Sequence, residues 1–135
     1  MAQTNIYKGR FQNHAEILYT WDGRHLYRGR FANINNILYT YDGRHLYRGR
    51  FTNQSDILYT IKGKNVYRGR HEDLSSLIIN TDGQCIYEGR LNNLSDIKIT
   101  KRNNFIYAGR YNNQSDIIYN TNGEVPLFFF GTIIK

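Results

Sequence analysis

The sequence predicts an all-β fold made of six tandem β-hairpins, and three observations support this prediction. The dipeptide Gly-Arg recurs every 20 residues, a tyrosine stands two residues before each glycine, and an aliphatic residue stands seven residues after each arginine. The dipeptides are Gly9-Arg10, Gly29-Arg30, Gly49-Arg50, Gly69-Arg70, Gly89-Arg90 and Gly109-Arg110. A fixed period of this kind is typical of a tandem array, in which one supersecondary unit stacks on its neighbours to bury a shared core.

Each unit is predicted to be a β-hairpin because a short turn signal lies between two strand-like runs. The clearest turns are Asp22-Gly23, Asp42-Gly43, Asp82-Gly83 and Asn122-Gly123, whose residue types tolerate the positive φ of two-residue hairpin turns. Lys62-Gly63 and Arg102-Asn103 occupy the same place with less suitable residues, so looser turns are expected there. The flanking runs are rich in Ile, Leu, Tyr and Thr, which suit a pleated sheet.

A two-residue turn sets the strand register, and the register sorts the side chains by face. In the second copy, Tyr41 is expected to pair with Arg44. One face then carries Ile37, Tyr39, Tyr41, Arg44, Leu46, Arg48 and Arg50, and the other carries Leu38, Thr40, His45, Tyr47 and Gly49. We assign the second, smaller face to the core and the first, amphipathic face to the surface. The reverse assignment stays open, because both faces hold an aliphatic residue and a tyrosine.

The whole chain, residues 1–135, is predicted to form one repeat domain, with the hairpins over residues 6–125. So many short strands rarely stay in one flat sheet, so we expect a curled or closed antiparallel meander, barrel-like or solenoid. A propeller, prism or trefoil is the alternative. Residues 126–135 break the repeat with an apolar run, which we predict to be a closing strand or plug. A docking tail for a partner, an oligomer or a membrane is the other interpretation.

The composition limits the function and the location. A formal net charge of +7 and a pI near 9.6 favour an acidic partner, namely an acidic protein, an anionic glycan or membrane surface, or nucleic acid. The repetition of a unit that carries an arginine would also explain this charge, and no acidic ligand would then be implied. Cys85 is the only cysteine, which excludes an intramolecular disulfide. We expect a cytoplasmic protein, because neither a signal peptide nor a membrane span is recognisable.

We predict no enzyme activity, no metal site and no cofactor. Catalysis needs a unique set of residues, whereas nearly every polar residue here belongs to a sixfold series. His25 and His45 share one repeat position and are expected to be structural. The arginines of the Gly-Arg dipeptides are expected to pair with the polar residue six positions on or to stack on a neighbouring ring. The glycines are expected to permit a close approach of a ring or backbone.

The predicted binding residues lie mainly in the two least diverged copies, on the aromatic and basic face. They are Trp21, Arg24, Arg28, Tyr39, Tyr41, Arg44 and Arg48. We expect a non-catalytic module that binds an acidic protein or an anionic glycan, in a bacterial adaptor or immunity role. Nucleic-acid binding through the same strip and a structural, self-assembling array are the alternatives.

The hairpin motif resembles the repeats of known bacterial arrays. The segment from Tyr39 to Tyr47, a Tyr-x-x-Asp-Gly turn with aromatic residues on both arms, is similar to the hairpins of choline- and glucan-binding cell-wall modules. It also resembles YD repeats and, in Tyr-x-Gly, MORN repeats. The resemblance implies a non-catalytic array that binds carbohydrate, encloses cargo or contacts lipids and proteins. Repeated tryptophans, which choline sites use, are missing here, so the ligand of those modules does not carry over.

Overall fold

Twelve antiparallel strands close into a barrel in the computed structural model, which describes residues 3–134. The strands are β1 (Thr4–Lys8), β2 (Ile17–Trp21), β3 (His25–Arg28), β4 (Ile37–Tyr41), β5 (His45–Arg48), β6 (Ile57–Lys62), β7 (Asn65–Arg68), β8 (Leu77–Thr81), β9 (Cys85–Glu88), β10 (Ile97–Arg102), β11 (Phe105–Ala108) and β12 (Ile117–Thr121). Each strand pairs with the next in chain order, and β1 pairs with β12. The predicted meander of consecutive hairpins is therefore confirmed as a closed barrel, and the sheet formed by residues 3–134 has no free edge.

The sixth hairpin is assembled from the two ends of the repeat array. β12 forms its first arm and β1 its second, with Lys8 opposite Tyr119. The Asn5 N–H donates to Asn122 Oδ1 at 2.7 Å, as the His25 N–H donates to Asp22 Oδ1 at 2.7 Å in a continuous hairpin. The last repeat thus supplies the first arm of the hairpin whose second arm is β1, and this pairing closes the barrel.

The turns differ from the prediction in a way that the aspartates explain. In the second hairpin, Tyr41 pairs with Leu46 rather than with Arg44. Asp42 Oδ1 accepts hydrogen bonds from the N–H groups of Arg44 and His45, and these bonds open the turn to four residues. The two turns without Asp or Asn at this place are the tighter ones, because their strand pairing continues to Lys62–Asn65 and Arg102–Phe105. The expectation that they are looser is wrong.

The assignment of the sheet faces is also wrong, because the face predicted to be exposed lines the barrel interior. Leu46 is completely buried, and Tyr39 and Tyr41 pack against the central apolar cluster. The two-residue shift of register keeps Tyr39, Tyr41 and Leu46 on one face, but a β-bulge at Leu38 places Ile37 opposite Tyr27 on the other face, which differs from the prediction. The other face is also covered: Thr40 and Tyr47 are 0% and 6% exposed. The chain between successive hairpins folds back over this outer face, as the hydrogen bond from Asn120 Nδ2 to the Phe11 carbonyl shows.

The C-terminal segment lies inside the barrel and is helical rather than a strand. A short helix, α1 (Phe129–Thr132), follows Pro126, and Phe129 is fully buried. The Phe129 ring lies edge-on to Trp21 with a centroid separation of 4.9 Å, and Phe128 lies 5.2 Å from Tyr41 in the same way. The apolar run therefore fills the barrel, and a separate closing strand is not needed. Within residues 3–134, no helix is long and apolar enough to cross a membrane.

Glycine is required in the Gly-Arg dipeptides by backbone conformation and not by a close approach. Gly49 has φ +79°, and a Cβ added there would meet nothing within 4 Å. The other five members of the series have φ between +74° and +82° with equally open surroundings. At this point the chain leaves the barrel wall and turns back over the outer face. The predicted close contact is therefore wrong, and the left-handed backbone is the reason for the glycine.

Exchange of Gly49 tests this explanation. We expect Gly49→Ala to lower the free energy of unfolding by about 1–2 kcal/mol, because an L-residue is strained in the left-handed region. Gly49→Asn is expected to cost less although Asn is larger, since Asn tolerates this conformation. Urea unfolding followed by circular dichroism measures both values. A larger loss for Asn than for Ala would mean that space, not φ, selects glycine.

Candidate functional site

The barrel has two unlike ends, and the predicted binding residues are divided between them. At one end, called the turn end, lie the hairpin turns and the entry of the C-terminal segment at Pro126. At the other, called the open end, each second arm finishes in a Gly-Arg dipeptide. Arg24 and Arg44 are in turns at the turn end, whereas Arg28 and Arg48 are the last strand residues at the open end.

At the turn end the structure brings together three of the predicted residues. Trp21, Arg24 and Tyr41 line one surface cleft of about 460 Å³ together with Pro126. Trp21 is only 7% exposed and Tyr41 packs on Phe128, so their rings mainly hold the C-terminal segment in place. Arg44 donates to Glu72 at 3.3 Å. This end therefore offers a ligand little beyond two exposed arginines.

At the open end a run of neighbouring cations occupies one repeat position. We call Lys8, Arg28, Arg48 and Arg68 the cationic arc; they pair across strands with Tyr119, Tyr19, Tyr39 and Tyr59 respectively. Because the members of each pair lie opposite each other on the interior face of the sheet, each cation stands beside its tyrosine. All four cations are exposed, and the rings of Tyr19, Tyr39, Tyr59 and Tyr119 pack against the central cluster.

The cationic arc is not neutralised within the described part of the chain. Its four side chains take part in none of the ion pairs or hydrogen bonds found among residues 3–134. Those ion pairs are instead Arg44–Glu72, Lys62–Glu72, Lys98–Glu88 and Lys101–Glu124. Four adjacent positive groups on a concave rim produce a local field that attracts anions.

The tyrosines below the arc form an aromatic floor. Burial raises the pKa of the Tyr119 hydroxyl, and the nearby Tyr19 raises it further. The Tyr119 hydroxyl is therefore neutral around pH 7, so its ring can contact an apolar or stacked group without adding charge. Arg28, Tyr39 and Arg48 of the predicted set belong to this arrangement. Lys8 and Arg68 were not predicted, although their shared repeat position with Arg28 and Arg48 is visible in the sequence.

The arginines of the Gly-Arg dipeptides lie elsewhere, on the outer flank. Arg10, Arg30, Arg50 and Arg110 each place the guanidinium 4.9–5.0 Å from the centre of the following ring. This is the stacking alternative of the prediction. The rings of Phe11, Phe31, Phe51 and Tyr111 stay 57–60% exposed, and with Ile34, Leu74, Leu91 and Leu94 they form an apolar belt around the barrel.

The aspartates of the turns have a structural role. Asp22 Oδ2 accepts a hydrogen bond of 2.7 Å from the Tyr27 hydroxyl. Burial alone would raise the pKa of Asp22, but the bonds from the His25 N–H, from Tyr27 and from the Arg24 N–H together lower it. Burial and the Asp22 carboxylate raise the pKa of Tyr27 to about 12. This carboxylate is ionised and engaged at neutral pH, which does not suit a general acid.

The two histidines of the repeat link adjacent hairpins. His25 Nδ1 lies 3.0 Å from Thr40 Oγ1, and His45 Nδ1 lies 3.0 Å from Thr60 Oγ1. Each threonine hydroxyl also donates to a glycine carbonyl of its own hairpin, so these hydroxyls are fully engaged. Among the described residues no group of three or more His, Cys, Asp or Glu side chains could hold a metal ion.

Six hairpins closed into a barrel around their own C-terminal segment define a sixfold tandem-hairpin repeat protein. Residues 6–134 match the family described as 6-fold beta flower protein, and the chain belongs to that family. This family differs from those that the hairpin motif resembles but shares the tandem β-hairpin with them. Searches among curated proteins and among solved structures found no match.

Proposed function

We propose that the protein is a non-catalytic binding module that binds an acidic polypeptide at its open end, in an adaptor or immunity role. The cationic arc carries this proposal, since its four exposed cations have no acidic partner among the described residues. Carboxylates form charge-assisted hydrogen bonds with arginine, often with both oxygens at once. A segment with several Asp or Glu residues could therefore contact several members of the arc.

The shape of the open end favours a flexible polypeptide over a nucleic-acid duplex. The arc follows a circular rim above an aromatic floor. A straight nucleic-acid duplex laid across such a rim would contact it at only two places. A flexible acidic segment can follow the curve and place an apolar side chain on the tyrosines. The apolar belt gives further support, because exposed apolar side chains beside arginine are frequent in protein interfaces.

Two charge-reversed variants separate the open end from the turn end. Arg28→Glu with Arg48→Glu changes the arc, and Arg24→Glu with Arg44→Glu changes the turn end. Each pair lowers the formal net charge from +7 to +3, because every Arg→Glu exchange removes two units. The total charge is thus matched, and only its position differs.

We expect the arc variant to bind poly-L-glutamate at least about tenfold more weakly than the wild type, which corresponds to 1.4 kcal/mol. The turn-end variant is expected to bind within about twofold of the wild type. Fluorescence anisotropy with labelled poly-L-glutamate measures both affinities, and far-UV circular dichroism checks that the fold is kept. Binding should weaken as salt increases. Equal losses in the two variants would contradict the proposal and indicate only a general effect of net charge.

Heparin and a single-stranded oligonucleotide, measured in parallel, compare the other anions. If either binds more tightly than poly-L-glutamate and loses affinity in the arc variant, the arc serves a glycan or a nucleic acid, and the acidic-polypeptide proposal is wrong. A steep dependence on salt together with sequence-tolerant binding would identify the nucleic-acid case.

A further inference from the structure

The open end also contains a recess beside the fifth repeat. The space measures about 280 Å³ and lies between α1 and the barrel wall. Its lining residues are Lys98, Ile99, Ile118, Tyr119, Phe130, Gly131 and Ile134. Five of these side chains are aliphatic or aromatic, and Lys98 is the one cation. The recess is therefore an apolar cavity with a single positive group at its edge.

Departures from the repeat pattern in the fifth unit coincide with this recess. The first three hairpins pair a tyrosine with an arginine at the open end, as in Tyr39–Arg48, and the sixth pairs Tyr119 with Lys8. In the fifth repeat the corresponding pair is Ile99–Ala108. Two long side chains that stand at the rim elsewhere are absent here. In addition, Lys98 occupies the position that is Leu38 in the second repeat.

The position of α1 leaves this side of the interior unfilled. Gly131 packs so closely against the fourth repeat that an added Cβ would lie 3.0 Å from Ile79 Cδ1 and 3.2 Å from Ile86 Cγ2. α1 therefore cannot pack more closely against the fourth repeat. In the fifth repeat the smaller Ile99 stands where the second repeat has Tyr39, and the recess remains between Ile99 and Gly131.

The charges around the recess favour an anionic group at its edge. Lys98 Nζ lies 4.0 Å from Glu88 Oε1, but the two side chains are 54% and 67% exposed, so this ion pair is weak. On the other side, Lys8 pairs with Tyr119, which lines the recess. Lys98 is the cation that lines the recess, so an anionic group would lie at Lys98, while the rest of the ligand would contact apolar side chains and the ring of Tyr119.

We propose that this recess binds a small amphipathic carboxylate, with its apolar body against Ile99, Ile118 and Phe130 and its carboxylate at Lys98. The volume is close to the lower limit of about 300 Å³ for ligand pockets, which selects a short acyl or single-ring body. Apolar contact supplies the favourable contribution and the lysine orients the ligand. The recess shares Tyr119 with the aromatic floor, but Lys98, Ile99, Ile118 and Phe130 do not belong to the cationic arc, and its ligand is much smaller.

Octanoate is the probe, and octanamide is the matched control with the same chain and an uncharged head. We expect octanoate to shift the methyl resonances of Ile99, Ile118 and Ile134 in a saturable manner. Ile34, which is 63% exposed on the apolar belt, should not shift and reports non-specific contact. Octanamide should bind more weakly than octanoate by about fivefold, because it gains nothing from the lysine.

Variants that introduce the residues of the second repeat at the matching positions of the fifth repeat test the site. Ile99→Tyr with Ala108→Arg rebuilds the pair of the second repeat, fills the recess and should abolish the saturable shifts of both probes. Lys98→Leu should weaken octanoate about fivefold and leave octanamide unchanged. Lys98→Leu keeps the cavity, so it tests the proposal even if the variant with Ile99→Tyr and Ala108→Arg fails to fold. Absence of saturable shifts in the wild type, or equal octanoate affinity in Lys98→Leu and the wild type, would overturn the proposal.

Discussion

Phe129→Ala is expected to lower the free energy of unfolding by about 3–5 kcal/mol, which is a large part of the stability of a typical domain. Phe129 is fully buried and belongs to the central apolar cluster. Its ring contacts Trp21 at 4.9 Å and Phe128 at 5.0 Å between centroids. Truncation leaves a cavity that the hydrogen-bonded barrel wall cannot collapse to fill, so the full cost of the lost contacts should appear.

Phe31→Ala is the matched control for this prediction. Phe31 is 57% exposed on the apolar belt, so its truncation should change the free energy of unfolding by no more than about 0.5 kcal/mol. Guanidinium unfolding monitored by tryptophan fluorescence is suitable, because Trp21 contacts Phe129 directly. Equal effects of the two exchanges would show that the C-terminal segment does not form the core, and would favour a docking tail instead.

Removal of the first strand is expected to abolish cooperative unfolding. A chain that begins at Arg10 lacks β1, with Ile6 at 0% and Tyr7 at 5% exposure, and it leaves β2 and β12 without their shared neighbour. Two unpaired edges also invite aggregation. Addition of a peptide of residues 3–9 in excess should restore a cooperative thermal transition, because the sixth hairpin is already discontinuous in the intact chain. Differential scanning calorimetry measures the transition.

A peptide with Ile6→Asp is the control for this complementation, since it keeps the backbone hydrogen bonds but cannot enter the apolar core. It should restore nothing. If the shortened chain unfolds cooperatively at the wild-type temperature without any peptide, closure by β1 is not needed, and the repeat array behaves as an open stack.

Part of the candidate site could be predicted from the sequence because it follows the repeat. Arg28 and Arg48 share one position, and the same position leads to Lys8 and Arg68 once the barrel closes. The sequence groups Trp21 and Tyr41 with these arginines, because all of them lie on one face of the hairpin. Their distance along the strand placed them at the other end of the barrel, against the C-terminal segment. The face of the sheet on which a residue lies does not show at which end of the barrel it is.

The sequence by itself determined the six hairpins, their antiparallel order and most of the residues that share each face; the exceptions are the residues at the β-bulge, such as Ile37. These properties depend on local chemistry, namely turn residues, a period of 20 and the alternation of side chains along a strand. Only the tertiary structure decided which face lies inside. Both faces are apolar enough to be buried, and closure around Phe128, Phe129 and Phe130 buries one of them. The connecting segments cover the other, because positive φ at the repeated glycines directs the chain back over the outer wall.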